Sequence, residues 1–212
     1  MIPVITASII ALSITFPQAQ VAQAAPLPPS QVLVATTSIP SVPFYSQFKD
    51  IASAKWQKVG CGIASLAMVI DYYSDEKVSV NTLLTQGIAS GAYLNQAGWI
   101  HKGLISLSKK YGLGGSTYDF SGQSNKTALK KFEEKLKDGP VIASVHYKFD
   151  PKSTIPHLVV INGIDGDLVY YNDPAAKTGE KTISTADFLK AWKKRFIVIR
   201  PQNEAVRVAL AQ

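Results

Sequence analysis

Apolar positions along this chain follow a helical spacing up to about residue 136 and a strand-like spacing after it. From Gly62 to Tyr73, the residues Ile63, Leu66, Ala67, Val69 and Ile70 fill most faces of one helix, the pattern of a buried element. Trp99 to Tyr111 and Lys126 to Leu136 are predicted amphipathic helices, closed by Gly112 and Gly139. A shorter helix is expected around Leu83 and Leu84, capped by Ser79 or Asn81. Val141 to Tyr147, His157 to Ile161, Leu168 to Tyr171 and Phe196 to Ile199 are β-rich runs separated by turn residues. Ser184 with Asp187 opens a further helix running to Trp192. The pattern predicts an α+β fold, with an N-terminal helical part packed on a C-terminal antiparallel β-sheet.

The two ends read differently from this middle. Ile5 to Phe16 is an uncharged apolar run, followed by Ala22-Gln23-Ala24, which together predict a signal peptide over residues 1–24. No side chain before Lys49 is positively charged, a departure from the usual basic start of such segments. A buried N-terminal helix is disfavoured by Pro17 and the prolines that follow. No Cys lies near the cleavage point, so no lipid anchor is expected there. Residues 25–40, with Pro26, Pro28, Pro29 and Pro40, read as a linker or arm, with a short strand at Gln31 to Ala35. The domain is expected over 41–200 and a tail over 201–212. Within the domain, Val42 to Gln47 reads as extended and Lys49 to Gly60 as a polar loop holding Trp56.

Composition narrows the class. The chain has 212 residues, 46% hydrophobic and 17% charged, which suits one globular domain. No run approaches the roughly 20 apolar residues of a membrane span. The net charge of +7 comes from 22 Lys and Arg against 15 Asp and Glu. That surplus suits an anionic cell envelope, an acidic substrate or plain solubility. Basic residues do not alternate with aromatics, so no nucleic-acid partner is expected. A monomer is the expected state. Three His, one Cys and no His-Glu-x-x-His pattern give no zinc site, and no cofactor is expected.

The single cysteine changes the picture most. An exported protein with one Cys has no internal disulfide, and a lone thiol there needs a reason. An inert buried Cys is the plain one. Cys61, however, lies between Gly60 and Gly62 at the mouth of the buried helix. Unpaired N–H groups and the positive end of the helix dipole favour a thiolate in that position. A nucleophilic thiol requires a base and a group that orients the base. His101 is expected on a solvent-facing helix surface, and His146 within a strand as a structural or functional group. His157 opens a strand directly after Pro156, where a catalytic group is held rigidly and stays accessible. If Ile164, Asp165 and Gly166 form a three-residue hairpin loop with Gly166 left-handed, His157 lies directly opposite Asp173. A two-residue loop would shift that register by one. Taken alone, Asn172-Asp173-Pro174 reads as a turn.

Val42-Pro43-Phe44-Tyr45-Ser46-Gln47, followed by Cys61-Gly62-Ile63-Ala64-Ser65-Leu66-Ala67-Met68 running on to Tyr72-Tyr73, resembles the bacteriocin-processing, double-glycine-leader cysteine peptidases. The similarity is greater to their stand-alone relatives without a transporter. Gly139-Pro140-Val141-Ile142, His157-Leu158-Val159-Val160 and Asn172-Asp173-Pro174 follow in the same order, so the resemblance spans Val42 to Arg200. It implies a papain-like fold and a triad of Cys61, His157 and Asp173. The family also uses a Gln before the Cys to donate to the oxyanion. Gln47 stands in the matching context but 14 residues before Cys61, with Lys49 to Gly60 as an insertion. Gln57 is nearer in an unmatched context, and Gln47 is preferred.

The expected function is therefore that of a secreted or cell-envelope bacterial cysteine peptidase, working by acyl transfer through a thioester. A papain-fold amidase or transpeptidase acting on cell-wall peptides is the alternative chemistry. A non-catalytic peptide-binding module is the alternative of another kind. Trp56, Trp99 and Tyr147 are candidates for a substrate groove, with core packing as the competing role of each.

Overall fold

A computed structural model of the chain describes residues 39–202 apart from 75, 76 and 96. The expected signal peptide, nearly all of the Pro-rich arm and all but two residues of the expected tail lie outside the described residues. The helices and strands, in chain order, are α1 (Ala54–Gln57), α2 (Cys61–Tyr73), α3 (Val80–Ala89), β1 (Tyr93–Leu94), β2 (Gly98–Trp99), α4 (His101–Ser108), β3 (Leu113–Asp119), α5 (Asn125–Leu136), β4 (Val141–His146), β5 (Pro156–Asp165), β6 (Leu168–Asn172), β7 (Lys181–Ser184), α6 (Thr185–Ala191) and β8 (Trp192–Pro201). One turn of 3₁₀ helix extends α4 over Lys109–Tyr111, and another follows β4 over Tyr147–Phe149.

Six strands form one antiparallel sheet in the order β3-β8-β4-β5-β6-β7. Both its faces are covered. Ile142, Leu158, Val160, Ile197 and Ile199 pack with α2, α3 and α4, while Val141, Ala143, Val145, Val159, Ile161 and Phe196 pack with α5 and α6. Alternate residues of β4 thus enter two different cores, as the two-residue period of a strand requires. This explains why Val141 to Ala143 and Leu158 to Ile161 read as unbroken apolar runs. The second core is aromatic, with Phe132, Phe188, Trp192 and Phe196 in mutual ring contact.

The mixed α and β architecture is as expected, with differences in detail. Helices α2 to α4 form the predicted helical layer, but α5 and α6 cover the opposite face of the sheet. Strands β3 and β7 lie at the two edges and carry little apolar alternation, Gly114 and Gly115 in β3 among them, so periodicity did not mark them. Ser79, not Asn81, caps α3 by accepting from the Thr82 N–H. Asn81 instead joins the preceding loop, accepting from Ala52 N and donating to Asp50 O. Arg200 closes the far end by donating to the carbonyls of Lys135, Gly139 and Pro140, a cation placed at the C-terminus of α5.

The hairpin register corrects the sequence expectation. Gly166 does adopt a positive φ of 53°, but Asp165 pairs with Leu168, so the loop has two residues. The pairing then slips between Ile161 and Gly163, with Asn162 as the extra residue of a bulge. Val160 pairs with Asn172 beyond it. Carried one step further, this register sets Asp173 opposite Val159 and on the same side of the ribbon as His157. Without the bulge Asp173 would oppose Val160 and face the other way, because a one-residue slip exchanges the faces.

Candidate active site

Cys61 is the first residue of α2, the only cysteine of the chain, free and partly exposed. Its helix is fixed from both sides. Trp99 lies so close to Gly62 that a Cβ there would meet its side-chain carbons at 2.7–2.8 Å; only glycine fits. One helical turn after Cys61, the fully buried Ser65 donates from Oγ to the Leu158 carbonyl at 3.2 Å. Leu158 follows His157, so this bond ties the mouth of α2 to the strand that carries the imidazole.

His157 is buried and its Nε2 lies 2.6 Å from Asp173 Oδ1. Cys61 lies close enough to the same ring to raise its pKa, and with Nε2 on Asp173 it is Nδ1 that is left for the thiol. Burial pulls the His157 pKa down. The bond to Asp173, then the bond and charge of Cys61, overcome that and carry it up to about 9. Asp173 Oδ1 also accepts from Ala175 N at 2.8 Å, which fixes the carboxylate in a turn past the end of β6. Asp173 therefore holds His157 diagonally from beyond the strand end, and the direct opposition expected from sequence does not occur.

Gln47 is buried beside the thiol's helix. Its Cβ comes within 3.3 Å of a Cβ built on Gly60, and its backbone N–H donates to Pro174 O, next to Asp173. The Gln47 Nε2 gives one hydrogen to Gln57 O at 2.7 Å, and its Oε1 is buried with no partner among the described residues. Gln57 uses its own Nε2 on Ile51 O at 2.8 Å, within the loop. The segment from Lys49 to Gly60, with α1 inside it, carries the chain from Gln47 back to Cys61.

The other candidates sort as follows. His101 is half-buried, not solvent-facing as expected; its Nε2 meets Ser144 Oγ at 3.2 Å and burial lowers its pKa. His146 Nδ1 meets Ser153 O at 2.6 Å and braces the loop after β4. Trp56, Tyr93 and Trp99 form a ring cluster beside Cys61. Tyr147 sets its ring edge-on to His157, with centroids 5.2 Å apart. Sequence reasoning gave Ser65 no role of its own, although it is the one polar side chain in the run Ile63 to Ile70. The bulge at Asn162 had a signal too, in the Asn162-Gly163 pair that interrupts the apolar strand. Among the described residues no cluster of three or more His, Cys, Asp or Glu is arranged to hold a metal, and no helix is long and apolar enough to cross a membrane.

A model of the Peptidase_C39 like family matches residues 39–197. A solved double-glycine-motif protease from an AMS/PCAT transporter, in complex with its leader peptide, is 25% identical with a TM-score of 0.53, covering 79% of this chain and 96% of its own. A C39-like protein from Bacillus anthracis is 21% identical with a TM-score of 0.55, over 77% and 96% of the two chains. The peptidase domain of Streptococcus ComA, a bifunctional ABC transporter, is 22% identical with a TM-score of 0.52, over 68% and 93%. No curated protein matches the chain in sequence.

Proposed function

The chain belongs to the Peptidase_C39 like family of cysteine peptidases, and we propose that it hydrolyses peptide bonds with Cys61 as nucleophile, His157 as base and acid, and Asp173 as the group that orients His157. The observation carrying this reading is the contact of one buried imidazole with a carboxylate on one side and the sole thiol on the other. In the reaction His157 takes the proton of Cys61, and the resulting thiolate attacks the peptide carbonyl. The oxyanion accepts from the backbone N–H of Cys61 and from the second N–H of Gln47 Nε2. Gln47 is preferred to Gln57 because it stands in the matching Val-Pro-x-x-x-Gln context and packs against Gly60, the residue before Cys61. His157 then gives its proton to the leaving amine, and a thioester forms at Cys61. Water, losing a proton to His157, releases the acid and regenerates the thiol.

The substrate is a peptide lying across the mouth of α2, as the leader-peptide complex of the similar transporter protease supports. We also propose that the enzyme acts outside the cytoplasm, on the strength of the apolar run and Ala22-Gln23-Ala24 in the sequence. Incubation with peptides, including Gly-Gly sequences, and with muropeptides tests the chemistry. Cleavage of peptides by the wild type, lost in Cys61→Ser, is expected; turnover that survives Cys61→Ser would overturn the reading. N-terminal sequencing of exported protein should begin at Ala25, and retention in the cytoplasm with residues 1–24 intact would refute export.

A further inference from the structure

The end of the sheet that carries His157 also carries charged groups for which the reaction has no use. Strand β8 enters with Trp192 opposite Val145, which itself pairs with His157. Pairing then resumes at Arg195 opposite Ser144, so Lys193 and Lys194 are looped out next to the row of the imidazole. Lys194 takes a φ of 54° to make this bulge, a conformation that side-chain-bearing residues adopt where a strand is being re-aimed. Its ammonium is engaged with Gln123 O at 2.7 Å. The side chains of Lys193 and Arg195 make no hydrogen bond or ion pair with the described residues. They are near enough that burial and the charge of Arg195 together lower the pKa of Lys193.

Arg195 lies on the face of the sheet that α2 covers, with Lys193 next to it in the bulge. Directly paired residues project to the same side, so Asp119, Arg195, Ser144 and Leu158 form one row from β3 to β5. Leu158 packs in the core under α2. His101, the first residue of α4, reaches down to Ser144 from the same layer, and Trp99 links that helix start to Gly62. Arg195 thus lies two strands from His157's strand, about 10 Å, a span that an extended peptide covers in about three residues. Asp119 is the one carboxylate in the row; its Oδ1 accepts from Ser121 N, and the charge of Arg195, paired opposite it, helps to hold its pKa down. Two cations, Lys193 and Arg195, thus lie at this end of the sheet with a single carboxylate beside them.

Building on the peptidase reading above, we propose that Lys193 and Arg195 form a subsite for an acidic side chain of the peptide, about three residues from the bond that is cut. A carboxylate there completes the charge balance of the row, and the planar guanidinium suits it in two-point contact. The test uses the full mature chain and internally quenched peptides in Glu/Gln pairs at each of the four positions on either side of the cut. Peptidyl chloromethyl ketones with the same pairs give the same comparison without turnover. A preference of about five- to tenfold for Glu at one position is expected at low salt, shrinking as salt rises. Lys193→Gln and Arg195→Gln should each reduce it, and Arg195→Glu should invert it in favour of Lys. Equal use of Glu and Gln at every position, or a preference unchanged in both Gln variants, overturns the subsite while leaving the peptidase intact. Variants that instead lose binding to phosphatidylglycerol vesicles, with the Glu/Gln ratio untouched, would make the row a membrane face and also overturn it. Absence of both cleavage and labelling at Cys61 would reject the peptidase reading, and the subsite with it.

Discussion

Replacing Asp173 by Asn removes a charge from His157 while keeping its acceptor. The amide oxygen of the new side chain can still accept from Nε2–H and from the Ala175 N–H, so the ring stays oriented and the turn stays closed. What is lost is the anion that heads the forces raising His157 to about 9 against its own burial. The His157 side chain is only 2% exposed, so solvent does little to screen the effect. Raising the imidazole from its ordinary 6.5 to about 9 corresponds to about 3 kcal/mol in favour of its charged form. Each unit of that rise lost in the variant costs about 1.4 kcal/mol and brings the alkaline limb down by one pH unit. For a fall of about two units the protonated fraction at pH ~8 drops from ~0.9 to ~0.1, while at pH ~6 both proteins remain largely protonated. The profile of kcat/KM between about pH 5 and pH 10, which reports the free enzyme, should show its alkaline limb moved down. The deficit of the variant should be about tenfold larger at pH ~8 than at pH ~6. An alkaline limb within about 0.3 pH units of the wild type would refute the coupling of Asp173 to His157, whatever the overall loss of rate.

Gln47→Ala should lower kcat by ~10²–10³ with a small change in Tm, whereas Gln57→Ala should cost stability through Ile51 O and leave most turnover; the opposite pattern would transfer the oxyanion role to Gln57. Gly62→Ala drives a Cβ into Trp99 at 2.7–2.8 Å, so a loss of about 1–3 kcal/mol is expected in urea unfolding, and an unchanged midpoint would contradict that packing. Because the folded-state pKa of His157 is raised, its contribution to stability is full below pH ~6.5 and is lost as pH rises through about 9. Denaturation of the wild type should therefore show falling stability across that window, by up to ~3 kcal/mol, with a shallower fall in Asp173→Asn; a rise would reverse the sign of the argument.

The site was more legible in the sequence than the geometry that builds it. Cys61 between two glycines at a helix start, and His157 after Pro156 at a strand start, are local features, and local features survive folding. Their meeting with Asp173 was reached through a register that the hairpin does not adopt. The two-residue turn and the bulge at Asn162 together place the carboxylate diagonally; Asn162-Gly163 inside the strand marks where a bulge can form, but not how far it moves the register. The buried strands were legible by composition, but their two cores were not, since residues that face opposite layers are equally apolar when both faces are covered. His101 was misjudged because its neighbour Lys102 is exposed, whereas the groups that enclose it, Ser144 and Arg195, come from strands far along the chain. The Gln47 environment depends on a similar return of the chain, from Pro174.

Labelling of the mature protein by a peptidyl chloromethyl ketone at pH ~7, followed by intact mass, tests most directly whether Cys61 and His157 work as a pair. The account predicts one adduct per chain, mapped to Cys61 and formed at least ~10² times faster in the wild type than in His157→Ala. Equal rates in the two proteins, or an adduct on another residue, would contradict it.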